Sequence, residues 1–136
     1  MGIWIDHIGI ACVSNETSKK FWELIGFTET GADRNIEQGV NISFMRGDAA
    51  PQPKIELLQP MGSDTPVGKF ISKYGEGVQQ IALGTDNIYD LISLLLEHGI
   101  RMVNEQPMTG AGNSLIAFVH PSSTGGILIE IVQKQS

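Results

Sequence analysis

The chain has 136 residues, of which 41% are apolar and 18% charged, a profile that fits one globular domain or two small modules sharing a core. Its net charge of −6 argues against nucleic acid and anionic membrane surfaces as partners, but allows an anionic substrate at a local basic patch. The longest strongly apolar run, LISLLL at 91–96, is too short to span a bilayer. With no basic secretory start and a single cysteine, Cys12, the expectation is a cytoplasmic chain without an internal disulfide.

In chain order, IDHIGIAC reads as a strand in which Cys12 is a small buried hydrophobe. SNETSKKFWELIG follows as a helix, with Ser14 or Asn15 as N-cap and Gly26 just past its last turn. ISFMRGD and KIELLQP are strands, and residues of about 61–75 are a linker. GVQQIALG is a strand carrying two adjacent amides, Gln79 and Gln80. Side chains alternate faces there, so at least one amide turns inward, where an unpaired amide costs about 2–7 kcal/mol. TDNIYDLISLLLEHG is a helix capped by Thr85 or Asp86, with His98 placed where an imidazolium favours the helix C-terminus. IAFVHPS and LIEIVQK close the chain as strands.

The sequence contains itself twice. Residues 5–27 lie over 78–100 without a gap, ISFMRGD lies over IAFVHPS, and KIELLQP lies over LIEIVQK. Each half reads strand, helix, three strands, so the expected architecture is α+β with two tandem βαβββ modules at about 3–60 and 76–134. Four polar residues occupy matching positions inside apolar strands: His7 matches Gln80, and Glu56 matches Glu130. A carboxylate in such a strand is costly unless paired or bound to metal. Singly, each residue has an ordinary structural explanation; together, at repeat-matched positions, they describe a shared coordination set.

IDHIGIAC, EQGVNISF, IELLQPMGSDTPVGKFI, GEGVQQIAL, GIRMVNEQPMTGAGN and IAFVHPSSTGGILIEI resemble, in order and spacing, the vicinal oxygen chelate superfamily of glyoxalases and bleomycin-resistance proteins. Within it the chain is most similar to the methylmalonyl-CoA epimerase branch. The resemblance implies a half-open eight-stranded barrel around one divalent metal ion, Mg, Mn, Co, Ni or Zn, and a homodimer. It places His7, Glu56, Gln80 and Glu130 on the four metal-ligand positions. Epimerases of this kind read His-His where this chain reads Gln79-Gln80, so an amide oxygen stands in for an imidazole.

The branch's chemistry removes a proton beside a carbonyl while the metal stabilises the enolate oxygen. Glu130 is the first candidate for the proton-handling carboxylate and Glu56 its symmetric counterpart, whereas Ser43 is a poor base and Glu37 reads as a solvated loop carboxylate. The loop HPSSTGG resembles the segment beside the acyl-CoA site, which makes His120, Ser122, Ser123 and Thr124 substrate-binding candidates. The expected activity is a metal-dependent epimerase or isomerase acting on acyl-CoA or another thioester. The alternatives are a lactoylglutathione lyase-type glyoxalase and a metal-free ligand-binding protein of the bleomycin-resistance kind.

Overall fold

A computed structural model describes residues 1–135. The element order is β1 (Ile3–Ala11), α1 (Asn15–Leu24), β2 (Thr28–Asn35), β3 (Val40–Arg46), β4 (Lys54–Pro60), α2 (Pro66–Tyr74), β5 (Gly77–Thr85), α3 (Ile88–Glu97), β6 (Met108–Thr109), β7 (Leu115–Val119) and β8 (Leu128–Gln133). The fold is α+β, and each half contributes four strands. Two compact units emerge, one spanning His7–Gln79 and the other joining Met1–Asp6 to the chain from Gln80 onward.

Strand pairing repeats the sequence repeat. In the first unit the order is β2-β3-β4-β1, with β1 parallel to β4; in the second it is β5-β8-β7-β6, with β5 parallel to β8. The registers coincide: His7 pairs with Lys54 as Gln80 pairs with Leu128, and Phe44 opposes Glu56 as Phe118 opposes Glu130. Matching positions therefore carry matching strand neighbours within each unit.

One sheet face of the first unit packs against α1. Cys12, Met45, Ile55 and Leu57 are buried there, joined by Ile8, Ile10, Trp22 and Phe27. Trp22 makes the helix contact and meets Phe27 edge-to-face at 5.1 Å. Burial, reinforced by the Glu76 carboxylate, raises the Cys12 thiol above its ordinary 9.0, against smaller lowering contacts from Ser18 and Leu58. Cys12 is thus a core thiol, as its apolar surroundings in the sequence imply.

The other face of this unit is closed at one end by α2, which sets Val67, Phe70 and Ile71 on Ala11, Val40 and Leu58. This helix lies within the segment that reads as a linker. Its local signal is TPVG: the Thr65 hydroxyl accepts the Gly68 N–H at 3.1 Å and Pro66 occupies the first helical turn. Gly68 permits the entry. A Cβ there would lie 2.1 Å from the Gly62 carbonyl oxygen and 2.9 Å from the Ser63 Cα, both backbone. Gly68→Ala is expected to destabilise the protein by about 1–3 kcal/mol through this overpacking, read as a lower urea midpoint. An unchanged midpoint would contradict the close approach.

In the second unit α3 buries Ile88, Leu91 and Ile92 against Met102, Ala117, Val119 and Ile131. Its cap is Asn87 rather than Thr85 or Asp86: the Asn87 amide oxygen accepts the Asp90 N–H at 3.1 Å, while the Thr85 hydroxyl accepts the Asn87 N–H. His98 closes the helix with Nδ1 2.9 Å from the Leu94 carbonyl oxygen. Lys134 reaches Asp6 at 3.3 Å and ties the first residues of the chain into this unit. Among the described residues no helix is long and apolar enough to cross a membrane.

Candidate active site

Strand alternation decides which side chains share a face. In the first unit, His7 on β1 and Glu56 on β4 face away from α1, and both are buried, at 6% and 7% exposure. His7 Nδ1 lies 3.3 Å from Glu56 Oε2, so the imidazole and the carboxylate form a direct pair. Phe44 stands opposite Glu56 across the β3–β4 ladder. Lys54, two residues before Glu56, is half-buried and folds its ammonium over the Phe44 ring, 6.0 Å from the centroid. Ser43 turns to the α1 side, where its hydroxyl donates to Glu29, so it plays no part on the His7–Glu56 face. Glu37 is exposed in the turn between β2 and β3.

The second unit repeats the arrangement with an amide in place of the imidazole. Gln80 on β5 donates from Nε2 to Glu130 Oε1 on β8 at 2.9 Å. Glu130 sits in register with Ala82 on one side and Phe118 on the other. Gln79 turns to the opposite face of its strand, and its buried carbonyl oxygen finds no partner among the described residues. Of the two amides in GVQQIALG, Gln80 is therefore the one joined to a carboxylate.

The loop after β7 holds itself together. His120 caps a short 3-10 turn over Pro121–Ser123: its Nδ1 accepts the Ser122 N–H at 3.0 Å and lies 2.8 Å from the Ser122 hydroxyl. Accepting through Nδ1 leaves the ring proton of the neutral imidazole on Nε2. The Ser123 hydroxyl accepts the Arg101 N–H at 2.9 Å, and Thr124 donates to the Pro121 and Ile127 carbonyls. Gly125 and Gly126 follow with φ of +75° and +98°, a left-handed turn that side chains disfavour. Structure thus brings His120 and Ser122 together and sets Ser123 and Thr124 to bracing the loop backbone.

Among the described residues there is no cluster of three or more His, Cys, Asp or Glu able to hold a metal ion. Each unit on its own supplies one carboxylate and one nitrogen or amide donor. As chemistry, an imidazole, two carboxylates and an amide oxygen suit a hard or borderline divalent cation. Glu56 is buried and Glu130 half-buried, and each carboxylate, already joined to a second donor in an otherwise apolar strand, fits that demand.

A family model for the glyoxalase/bleomycin resistance protein/dioxygenase superfamily matches residues 6–118. The mitochondrial methylmalonyl-CoA epimerase of Bos taurus is 31% identical over 131 residues, covering 95% of this chain and 73% of its own. Two solved structures are similar as well. The protein BH1468 of Bacillus halodurans C-125 has a TM-score of 0.92 and 36% identity, covering 100% of this chain and 97% of its own. A Streptomyces coelicolor methylmalonyl-CoA epimerase in complex with 2-nitronate-propionyl-CoA has a TM-score of 0.88 and 33% identity, covering 98% and 95%. Similarity to epimerases along nearly the whole chain marks it as an enzyme, an epimerase or isomerase, with the fold of those proteins. The chain belongs to the glyoxalase/bleomycin resistance protein/dioxygenase superfamily.

Proposed function

We propose that this protein epimerises a small acyl thioester of the methylmalonyl-CoA type, by removing and returning the proton between its carbonyl and its carboxylate. The observation that carries the reading is the matched pair of carboxylates, each joined to a donor at its repeat position: Glu56 to His7 and Glu130 to Gln80. The epimerase relatives support the substrate class. His7, Glu56, Gln80 and Glu130 would hold a divalent ion, whose charge stabilises negative charge developing on the thioester oxygen.

Glu130 is the proton-handling group. Its carboxylate accepts the α-proton through one oxygen while Gln80 Nε2 keeps the other in place, so the base is oriented without being neutralised. Glu56 is fixed in the same manner by His7 and is the second carboxylate available for return of the proton. His120 presents Nε2–H, and the glycine amides of 125–126 offer donors for a substrate oxygen.

The test is proton NMR of methylmalonyl-CoA in heavy water with the purified protein, supplied in turn with Mg, Mn, Co, Ni or Zn. Loss of the α-proton signal, with scrambling of configuration, is expected for at least one ion. No exchange with any of them, together with turnover of a methylglyoxal thiohemiacetal, would move the assignment to the glyoxalase alternative.

A further inference from the structure

The face that carries His7 and Glu56 is graded along its length. One end, at Ala11, Val40 and Leu58, is closed by α2. Phe44 and Glu56 occupy the middle, level with Gly9. One register step further from α2, level with His7, come two cations. The β3–β4 ladder pairs Met45 with Ile55, and continuing that register by one residue sets Arg46 opposite Lys54 on the His7–Glu56 face.

Like charges directly opposite each other on neighbouring strands repel. Neither of these takes part in an ion pair recorded among the described residues, in a chain whose net charge is −6. Lys54 does not relieve the repulsion by extending into solvent. It is half-buried and folded back over Phe44, toward Glu56. The repeat sharpens the point: the matching positions in the second unit are His120 and Leu128, so the cation pair is confined to one unit. Since both units build the same strands with the same register, the fold does not require the pair.

We propose that Arg46 and Lys54 form an anion subsite that seats a negatively charged group of the substrate beside the His7–Glu56 pair. This rests on the acyl-thioester reading and adds the specificity determinant that reading lacks. The shared chemistry is an oxyanion, borne either by the carboxylate of the acyl group or by a phosphate of the thiol carrier. An Arg fork takes two oxygens of such a group, and the Lys ammonium adds a point charge. Two residues of strand, about 7 Å, separate Lys54 from Glu56, so the anion and the reacting carbon fit on one face. A thioester lacking the anion leaves two apposed cations unpaired and is discriminated against.

Calorimetric titration of the wild type, an R46Q/K54Q double variant and K54R tests the subsite. The ligands are malonate, inorganic pyrophosphate, methylmalonyl-CoA, propionyl-CoA and methylmalonyl-pantetheine. The double variant is expected to lose about tenfold or more in affinity for the ligands that use the subsite, with K54R retaining most of it. Seating of the acyl carboxylate weakens malonate and methylmalonyl-pantetheine but spares propionyl-CoA. Seating of a carrier phosphate weakens pyrophosphate and propionyl-CoA but spares methylmalonyl-pantetheine. Equal affinities for every ligand in wild type and double variant, or no binding of any ligand by the wild type, overturn the subsite. A wild type that fails to exchange the α-proton counts against the epimerase reading alone, because the malonate and pyrophosphate titrations still decide this one.

Discussion

Replacing Glu130 by Gln lowers the rate of α-proton exchange by about 10²–10⁴-fold, the usual contribution of a positioned general base. The substitution is close to isosteric, and its carbonyl oxygen still accepts from Gln80 Nε2, so the β5–β8 pairing and the thermal midpoint are expected to hold. What disappears is the ability to take up a proton. The measurement is exchange by NMR alongside bound-metal content by elemental analysis, because Glu130 is assigned both as ligand and as base. Loss of exchange with metal retained assigns the base role, and loss of both assigns the ligand role. Exchange at the wild-type rate removes Glu130 from the mechanism.

Gln80→His tightens binding of Co, Ni and Zn by about tenfold or more while changing Mg and Mn little, because imidazole is the better donor to borderline ions and an amide oxygen suits hard ones. Position 80 is fixed for this purpose by its strand: it pairs in register with Leu128, and its side chain lies on the face of Glu130. The imidazole retains an N–H with which to hold that carboxylate. Metal titration followed by thermal shift or calorimetry reads the result without reference to turnover. An unchanged affinity for all five ions, or an equal gain for Mg and Zn, argues that residue 80 is not a ligand.

The residues that carry these predictions differ in how far the sequence alone exposed them. His7, Gln80, Glu56 and Glu130 were legible because a tandem repeat turns symmetry into an alignment of the chain with itself. The repeat match to His7 told Gln80 from Gln79, alternation put Gln79 on the other face, and Gln80 is the amide that contacts Glu130. Element type was legible for the same reason in both halves. Helix caps were less so: Ser14 caps α1 as one of two candidates, but α3 starts at Asn87, since Thr85 is spent on the Asn87 N–H. The helix α2 carries a capping signal in TPVG, but its segment has no counterpart in the second half, so the repeat does not distinguish it from a linker.

What the sequence by itself determined, then, is the set of local and repeated properties: strand and helix periodicity, and the polar residues that recur at the same place within apolar strands of both modules. Only the tertiary structure decided which side chains meet across strands. It set Ser43 against Glu29 on the α1 side, folded Lys54 over Phe44, and put Lys54 in register with His7. The physical reason is that cross-strand register joins residues distant in sequence, and a shift of one position would exchange the two faces of every strand.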